Sequence, residues 1–178
     1  LGSSQHAIAV SRFALKTLTF GFDRLLRHRL SVVYHGVSSI YSAADTARDD
    51  TPTLLVVADI YIQKNLHSLL DAMPAILAEY PHTRLIIAGR KIDSDYYDEL
   101  IAKIEALRFS ASVQFIDNVP PATLVDLYRR CTVFVFPSTV ETFGNPLVEA
   151  MACGAAIASS ATAAMPEIVG ECEIGRAH

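Results

Sequence analysis

Two acidic residues, Glu141 and Glu149, bracket a turn-rich stretch in the C-terminal half of the chain. Seven residues separate them, including Gly144, Asn145 and Pro146 in succession. Glycine permits a tight turn, asparagine suits a helix N-cap, and proline suits the first helical position. The stretch therefore predicts a helix N-terminus whose free N–H groups and positive dipole end bind phosphate.

With a turn between them, the two carboxylates can approach one ligand. A carboxylate accepts hydrogen bonds from vicinal hydroxyls, which ribose and hexose both offer. On this interpretation Glu141 lies at the sugar end of the ligand and Glu149 at its nucleoside end. In the alternative, Glu149 only complements the helix dipole and Glu141 is a surface acid; the residue types alone leave both open.

Lys64 is a third candidate for a binding residue. It stands just before a predicted helix N-terminus, with Asn65 as a plausible cap. The helix dipole disfavours a cation at this end, and a bound anion would reverse that penalty. A solvated surface lysine is the alternative.

The elements that must position these residues alternate along the chain. Five short apolar runs predict strands, at 54–58, 85–89, 113–116, 133–137 and 156–160. Their nearly continuous apolar character is typical of strands buried on both faces. Helical periodicity lies between them, at 65–80, 96–108, 122–130 and 146–153. The pattern predicts an α/β domain with a doubly wound, Rossmann-like parallel sheet, in which ligands bind beyond the carboxyl ends of the strands.

The ends of the chain differ from this pattern. Residues 7–10 and 31–34 predict two further strands around a helix at 13–29, and the polar stretch 41–53 predicts a loop. The tail 170–178 shows no continuing pattern. We expect the segment before His35 to pack loosely, to dock on the rest of the chain or to mediate association between chains.

Composition excludes several classes of protein. Hydrophobic residues make up 51% of the 178 residues and the net charge is −4, which indicates a soluble globular domain rather than a disordered chain or a nucleic-acid binder. The three cysteines are too scattered for a disulfide framework; Cys131 and Cys153 are expected to be buried thiols in a cytoplasmic setting. The six histidines show no metal spacing. A basic stretch could contact the inner face of an anionic membrane, although a solvated helix face is the alternative; it comprises Lys16, Arg24, Arg27, His28 and Arg29.

The stretch ETFGNPLVEAMACG resembles the E-x7-E signature of retaining GT-B glycosyltransferases, the family called glycosyl transferases group 1. Other segments match that family in order and spacing, from about residue 7 to about residue 170. They are Val10-Ser11 before a helix, His35-Gly36-Val37, Lys64-Asn65, Ile87-Ala88-Gly89, and AAMPEIV at 163–169. The resemblance implies the C-terminal, nucleotide-sugar-binding domain of a GT-B fold.

The family's residue roles carry over as expectations. Glu149 would bind the ribose hydroxyls, Glu141 would meet the transferred sugar, and Lys64 would stabilise the diphosphate leaving group, so that Glu141 and Lys64 are the implied catalytic residues. The remaining donor-binding residues implied are Phe143, Gly144, Asn145, Pro146, Leu147, Asn118, Val119, Gly89 and Arg90. No metal and no cofactor are expected, because a lysine and helix dipoles serve the diphosphate in this family.

The sequence departs from the family at Asp59, where many relatives have an arginine that shares the diphosphate. Lys64 would then act alone, or Arg90 or Lys91 would compensate. Ala163 and Ala164 replace the glycines that usually precede the proline-glutamate pair.

The expected domain organisation follows from the resemblance. Residues 1–36 would be a remnant of the N-terminal GT-B domain with the interdomain linker, and 37–178 the donor-binding domain, truncated at its C-terminal end. Such a chain would bind a nucleotide-sugar weakly and transfer nothing alone, because the missing half holds most of the site for the acceptor, a glycan or lipid-linked sugar. A GT-B epimerase and a ligand-free degenerate module are the alternatives, and the oligomeric state is open.

Overall fold

The computed structural model describes residues 6–19, 27–170 and 175–177. Its strands are β1 (Ala7–Ala9), β2 (Leu30–Val32), β3 (Thr53–Val57), β4 (Arg84–Ala88), β5 (Val113–Ile116), β6 (Val133–Phe136), β7 (Ile157–Ser160) and β8 (Gly175–Ala177). Its α-helices are α1 (Arg12–Thr19), α2 (Leu66–Glu79), α3 (Ser94–Ala106), α4 (Pro121–Arg130), α5 (Asn145–Ala152) and α6 (Met165–Val169). No helix in these described ranges is long and apolar enough to cross a membrane.

Six of the strands form one parallel sheet in the order β5-β4-β3-β6-β7-β8. The chain builds the sheet outward from β3 to β5 and then returns to the other side of β3 with β6. The strand order therefore reverses between β3 and β6, and in sheets of this kind the crevice outside the carboxyl ends at the reversal is where ligands bind. The predicted fold class, a doubly wound parallel sheet, is confirmed.

Successive residues of β3 face opposite sides of the sheet and enter different cores. Val56 packs with apolar residues of α2 and α3. Leu55 packs in a second cluster with apolar residues of α4, α5 and α6. Fully burying one such side chain contributes about 1.5–3 kcal/mol. Burial on both faces explains why these strands lack the alternation of a half-exposed strand.

Two predictions for the ends of the chain need correction. The tail contains β8, which pairs in parallel with β7 from Ala158 and Gly175 onward, whereas no pattern was expected there. A strand of three residues is too short to show periodicity, so the sequence could not reveal it. The helix predicted at 13–29 ends at Thr19 in the described part, and 27–29 form a 3-10 turn; residues 20–26 lie outside the described residues.

The polar stretch predicted as a loop at 41–53 contains no helix or strand up to residue 52, where β3 follows with Thr53, and it is held against the end of α4. Arg129 donates from Nε and Nη2 to the Ser42 carbonyl, at 2.9 and 2.7 Å. The guanidinium of Arg130 pairs with the Asp49 carboxylate at 2.6 Å. These contacts fix the path of the chain from β2 to β3.

The segment before His35 docks on the rest of the chain, which is one of the three outcomes expected for it. β1 and β2 form a separate parallel pair. At the start of α1, the N–H groups of Arg12 and Phe13 donate to the Glu167 carboxylate at 2.8 and 3.2 Å. The Tyr34 hydroxyl donates to the same carboxylate at 2.7 Å. Glu167 thus caps α1 from α6, more than 150 residues away.

We expect Glu167→Gln to loosen α1. Burial raises the pKa of Glu167, but the α1 amides and Tyr34 lower it more, so that its pKa lies below the ordinary value. A depressed pKa gives stability that is present above the unfolded-state pKa, about 4.3, and is lost as the pH falls through the folded-state pKa. Losing a helix cap costs about 0.5–2 kcal/mol, so amide exchange in α1 should be roughly 2- to 30-fold faster in the variant.

Hydrogen-exchange mass spectrometry of residues 12–19 measures this effect, and the wild type should approach the variant under acid conditions. Glu79→Gln is the matched control, because Glu79 is an exposed residue at the end of α2. Equal exchange in α1 for the wild type and the Glu167→Gln variant at neutral pH would contradict this role of the carboxylate.

Candidate functional site

The loops that follow β3 and β6 meet at the reversal of strand order. The Thr139 N–H donates to the Gln63 carbonyl at 2.9 Å. The Asn65 Nδ2 donates to the Pro137 carbonyl at 3.2 Å. The side chain of Asn65 therefore ties the two loops together instead of capping α2, although Asn65 occupies the cap position.

Lys64 and Glu141 pair at this junction. Lys64 ends a 3-10 turn and is 9% exposed, and its Nζ donates to the Glu141 carboxylate. The rings of Tyr61 and Phe136 lie 5.1 and 5.8 Å from Nζ. Burial lowers the pKa of Lys64, but the hydrogen bond and the charge of Glu141 outweigh it, so the net pKa is raised. Lys64 therefore stays a cation at neutral pH.

A second ion pair joins the ends of β3 and β4. The Arg90 Nη2 lies 2.5 Å from the Asp59 Oδ2, and the Arg90 Nε donates to Oδ1 at 3.2 Å. The hydrogen bond from Arg90 is the main cause of the lowered pKa of Asp59. Lys91, the other proposed substitute for the missing arginine, pairs instead with Asp98 at 3.2 Å.

An open cavity of about 430 Å³ lies beyond the carboxyl ends of β3, β4 and β5. Pockets for small ligands and cofactors commonly measure about 300–1,000 Å³. Six of the residues implied by the sequence line it, namely Lys64, Gly89, Arg90, Asn118, Val119 and Pro146. Sequence reasoning gave no role to Tyr61 and Leu124, which also line it; a tyrosine beside a turn and a leucine on a helix face carried no distinguishing signal.

Glu149 lines a second, smaller cavity of about 180 Å³ together with Asn145, His35 and Tyr41. Since Asn145 lines this cavity and the next residue lines the larger one, the two cavities flank the N-terminus of α5. The Tyr128 hydroxyl donates to the Glu149 Oε2 at 3.0 Å. Burial raises the pKa of Glu149, and the hydrogen bond from Tyr128 offsets only part of the increase.

The two glutamates therefore have different neighbours. Glu141 pairs with Lys64 after β6, whereas Glu149 contacts Tyr128 on the far side of the α5 N-terminus. Their approach to a single ligand stays a prediction. One ligand would reach both only by crossing the N-terminus of α5, from the larger cavity to the smaller.

The corner before α5 has the predicted tight turn but a different helix start. Gly144 has φ +90°, and a Cβ there would lie 3.3 Å from the Phe136 ring. Because this positive φ reverses the chain at Gly144, α5 begins with Asn145 and has Pro146 second. The prediction of Asn145 as cap and Pro146 as first helical residue is wrong by one position. The Asn145 Oδ1 instead lies 2.8 Å from the His35 Nδ1.

The corner offers fewer amides than its five residues suggest. The Leu147 N–H donates to the Gly144 carbonyl at 3.0 Å, and Pro146 has no N–H. Across the part of the chain that the structure describes, no acceptor receives the N–H groups of Gly144 and Asn145. Gly144 is buried and Asn145 exposed. The Phe143 N–H likewise meets no acceptor among the described residues, but only Gly144 and Asn145 adjoin the helix start, where their amides can donate to an anion.

Phe143 and Leu147 belong to the interior. Leu147 is fully buried in the core and Phe143 is 4% exposed. The Phe143 ring packs against His35, with 4.8 Å between ring centroids. Ser11, which is fully buried, donates from Oγ to the Thr142 carbonyl at 2.5 Å. Through Ser11 and His35, the segment before residue 37 therefore contacts and stabilises the loop between β6 and α5.

The possible metal-ligating side chains do not cluster in the part of the chain that the structure describes. Among residues 6–19, 27–170 and 175–177, no group of three or more His, Cys, Asp or Glu side chains could hold a metal ion. Cys131 and Cys153 are buried free thiols, as expected. Burial raises the pKa of Cys131 to about 11, so that it is no nucleophile at neutral pH.

Gly89, at the end of β4, permits the closest backbone approach at the site. A Cβ at this position would lie 2.0 Å from the Ala58 carbonyl oxygen. We expect Gly89→Ala to push β3 and β4 apart at the cavity and to lower the free energy of unfolding by about 1–3 kcal/mol, as overpacking does. Urea unfolding measures the change. Gly36→Ala is the control, because nothing lies within 4 Å of a Cβ there; equal stability of the two variants would contradict the geometry.

A doubly wound parallel sheet with two cavities at its reversal point defines a Rossmann-like class of domain. The chain belongs to the glycosyl transferases group 1 family, whose model matches residues 39–177. This confirms the resemblance inferred from the E-x7-E stretch.

Individual proteins agree with this assignment. The chain is 30% identical, over 141 residues, to the serotype-specific mannosyltransferase WbdA of Escherichia coli; the match covers 79% of this chain and 17% of that protein. Its fold matches Anabaena Alr3699/HepE in complex with UDP and glucose, with a TM-score of 0.76, 22% identity, and 92% and 46% of the two chains covered. The C-terminal domain of a group 1 glycosyl transferase from Francisella tularensis matches with a TM-score of 0.65 and 23% identity, covering 74% of each chain. The chain thus spans less than half the length of the first two proteins.

Proposed function

We propose that this chain is the donor-binding part of a retaining GT-B glycosyltransferase, which transfers a sugar from a nucleotide-diphospho-sugar to an acceptor. The observation that carries the proposal is a buried cation, Lys64, in the same cavity as Pro146 at the α5 N-terminus, where the N–H groups of Gly144 and Asn145 meet no acceptor among the described residues. A cation and helix N-terminal amides together are the groups that bind a diphosphate.

Lys64 and the α5 N-terminus would hold the diphosphate. The ammonium group has three N–H donors, and Glu141 uses one of them. As the bond to the sugar breaks, negative charge develops on the leaving diphosphate, and a fixed cation stabilises it. Because Lys64 supplies positive charge, we expect nucleotide binding to be unchanged by EDTA.

The other roles follow from the two cavities. Asn118 and Val119 would line the base in the larger cavity. The Glu149 carboxylate, in the smaller one, would accept hydrogen bonds from the ribose hydroxyls, and Tyr128 would orient it. Glu141 would meet the transferred sugar beside the diphosphate.

The relatives support a nucleotide-sugar donor but leave its identity open. Alr3699/HepE is described with UDP and glucose, and WbdA is a mannosyltransferase. We propose that the acceptor site, for a glycan or a lipid-linked sugar, lies mainly in an N-terminal domain beyond this chain, and that the chain alone does not transfer sugar. The retaining outcome rests on the E-x7-E signature and is tested by the anomeric configuration of the product of the longer protein.

A ligand-free module is the second candidate, and Asp59 is the observation that favours it. This acid lines the larger cavity, where its charge would repel a diphosphate. The two functions differ in one measurable property, which is whether a nucleoside diphosphate binds at all.

Isothermal titration of the chain with UDP, GDP and ADP tests the proposal. We expect saturable binding of at least one nucleotide, weaker binding of the matching nucleoside, and loss of binding in the Glu149→Ala variant. Glu79→Gln, remote from both cavities, should bind as the wild type does. No saturable binding of any of the three nucleotides would favour the ligand-free module.

A further inference from the structure

The larger cavity contains an acid where a diphosphate site needs positive charge. Asp59 and Arg90 line it side by side. The Arg90 side chain is 63% exposed, and the Asp59 side chain 31%. An exposed arginine on its own samples many rotamers, and fixing it on a ligand costs conformational entropy. The presence of Asp59 therefore has two opposite effects on a bound anion, which are repulsion and the ordering of Arg90.

The geometry of the pair favours ordering. Nε and Nη2 of Arg90 engage the two carboxylate oxygens as a fork. The Arg90 backbone N–H also donates to the Asp59 Oδ1 at 3.0 Å, so the same residue fixes the carboxylate and is fixed by it. Planar two-point pairing of this kind restricts a guanidinium more than a single contact does.

The backbone beneath the pair is rigidly placed. The strand ladder continues past the ends of β3 and β4, with the Ala58 N–H donating to the Ala88 carbonyl at 3.0 Å and the Ile60 N–H to the Arg90 carbonyl at 2.8 Å. Between these two hydrogen bonds, Gly89 lets the backbone segments that follow β3 and β4 approach closely. The separation of Asp59 and Arg90 is thereby set by the sheet.

Arg90 keeps donors for a ligand. A guanidinium has five N–H donors, and the fork uses one at Nε and one at Nη2. The two N–H groups of Nη1 and one of Nη2 remain, and they meet no acceptor among the residues that the structure describes. Asp59 raises the pKa of Arg90, so the guanidinium stays charged.

We propose that Asp59 is a positioning residue that holds the Arg90 guanidinium at the cavity, so that a nucleotide's diphosphate is bound by a cation from the end of β4. This inference rests on the proposed function and adds to it a source for the second cation. Lys64 contributes from the loop after β3, and Arg90 completes the set from the neighbouring strand.

The two effects of Asp59 predict opposite signs. If Asp59 only repels the ligand, Asp59→Ala binds UDP more tightly. If Asp59 positions Arg90, the variant loses the ordered guanidinium and binds UDP about 2- to 10-fold more weakly, which is the cost of ordering one long side chain. Uridine has no phosphate, so its affinity should not change in either case.

A double-mutant cycle by isothermal titration completes the test. We expect Asp59→Ala and Arg90→Ala each to weaken UDP binding, and the double variant to bind no more weakly than Arg90→Ala, because Asp59 acts through Arg90. Tighter or unchanged binding in Asp59→Ala would overturn the inference, as would a further loss when Asp59→Ala is added to Arg90→Ala. Asp59→Asn, which keeps the side-chain shape, replaces the alanine variant if the latter does not fold.

The failure of this inference differs from the failure of the proposed function. If the wild type binds UDP and Asp59→Ala binds it equally or more tightly, the positioning role is wrong and the donor site stands. If the wild type binds GDP or ADP instead of UDP, that nucleotide and its nucleoside replace UDP and uridine in the same cycle, and if it binds none of the three, the donor site itself is wrong. Thermal unfolding of each variant serves as the folding control, and an exposed ion pair should shift it little.

Discussion

Lys64→Met is expected to weaken binding of the preferred nucleoside diphosphate about 10- to 100-fold. A hydrogen bond to a charged group is worth about 1.5–3 kcal/mol, which corresponds to this range. Lys64 is buried and charged, and it pairs with Glu141 where the strand order reverses. Because the site is buried, water cannot readily take the place of the ammonium group as a hydrogen-bond donor to the diphosphate. Methionine has nearly the same length without the charge, and its thioether can pack beside the rings of Tyr61 and Phe136.

Isothermal titration with the diphosphate and with the nucleoside separates the contributions. The nucleoside should bind the variant as it binds the wild type, since in the proposed site the ammonium group would contact only the diphosphate. Removing Lys64 also leaves the Glu141 carboxylate without its partner, and Lys64→Met/Glu141→Gln corrects for that loss. If the double variant bound the diphosphate as the wild type does, Lys64 would have no direct role in binding.

Glu149→Gln is expected to produce the second large effect, a loss of nucleotide affinity and of its dependence on pH. In the proposed site the ionised carboxylate would accept hydrogen bonds from both ribose hydroxyls, whereas an amide has one accepting oxygen. The loss of one charge-assisted hydrogen bond costs about 1.5–3 kcal/mol, or about 10- to 100-fold in affinity.

The pH dependence has a definite direction. Burial raises the pKa of Glu149, and protonation removes the charge that the ribose hydroxyls donate to. Affinity in the wild type should therefore fall on acidification at a pH above about 4.3, the ordinary value for glutamate. A UDP-sugar is the right probe, because its diester phosphates lack the second ionisation, near pH 6, of a terminal phosphate.

The matched measurements use this probe from pH 4.5 to pH 8. Glu149→Gln should bind weakly and equally at all pH values, and a probe lacking both ribose hydroxyls should bind the wild type as weakly as the UDP-sugar binds the variant. A wild-type affinity that did not vary with pH would contradict the contact between Glu149 and the ribose, and so would a variant whose affinity equalled that of the wild type.

The strands and the position of the site could be predicted because both depend on local patterns. Continuous apolar runs mark strands buried on two faces, and Gly144 marks the turn before α5. The start of α5 was misplaced by one residue because glycine itself took the cap position, which freed the Asn145 side chain for His35. The preference of asparagine for caps is a tendency that a positive φ at the preceding glycine overrides.

The contacts between distant residues could not be predicted. Glu167 caps α1 and Tyr128 orients Glu149, and neither pairing leaves a mark in the local sequence. Asp59 is the clearest case. From the sequence it is only the replacement of an arginine that the family uses, whereas the structure shows that it forms an ion pair with Arg90. The parallel pairing of β3 and β4 brings Asp59 and Arg90 into contact, although they are 31 positions apart in the sequence.

The central claim is that the N-terminus of α5 and Lys64 receive the diphosphate. Two-dimensional amide NMR of the 178-residue chain, titrated in parallel with the nucleoside diphosphate that it binds most tightly and with the matching nucleoside, tests it most directly. We expect the diphosphate to shift the amide signals of Gly144, Asn145 and Lys64 strongly, and the nucleoside to shift mainly those near Asn118. Diphosphate shifts that leave Gly144, Asn145 and Lys64 unmoved, or that match those of the nucleoside, would contradict the claim.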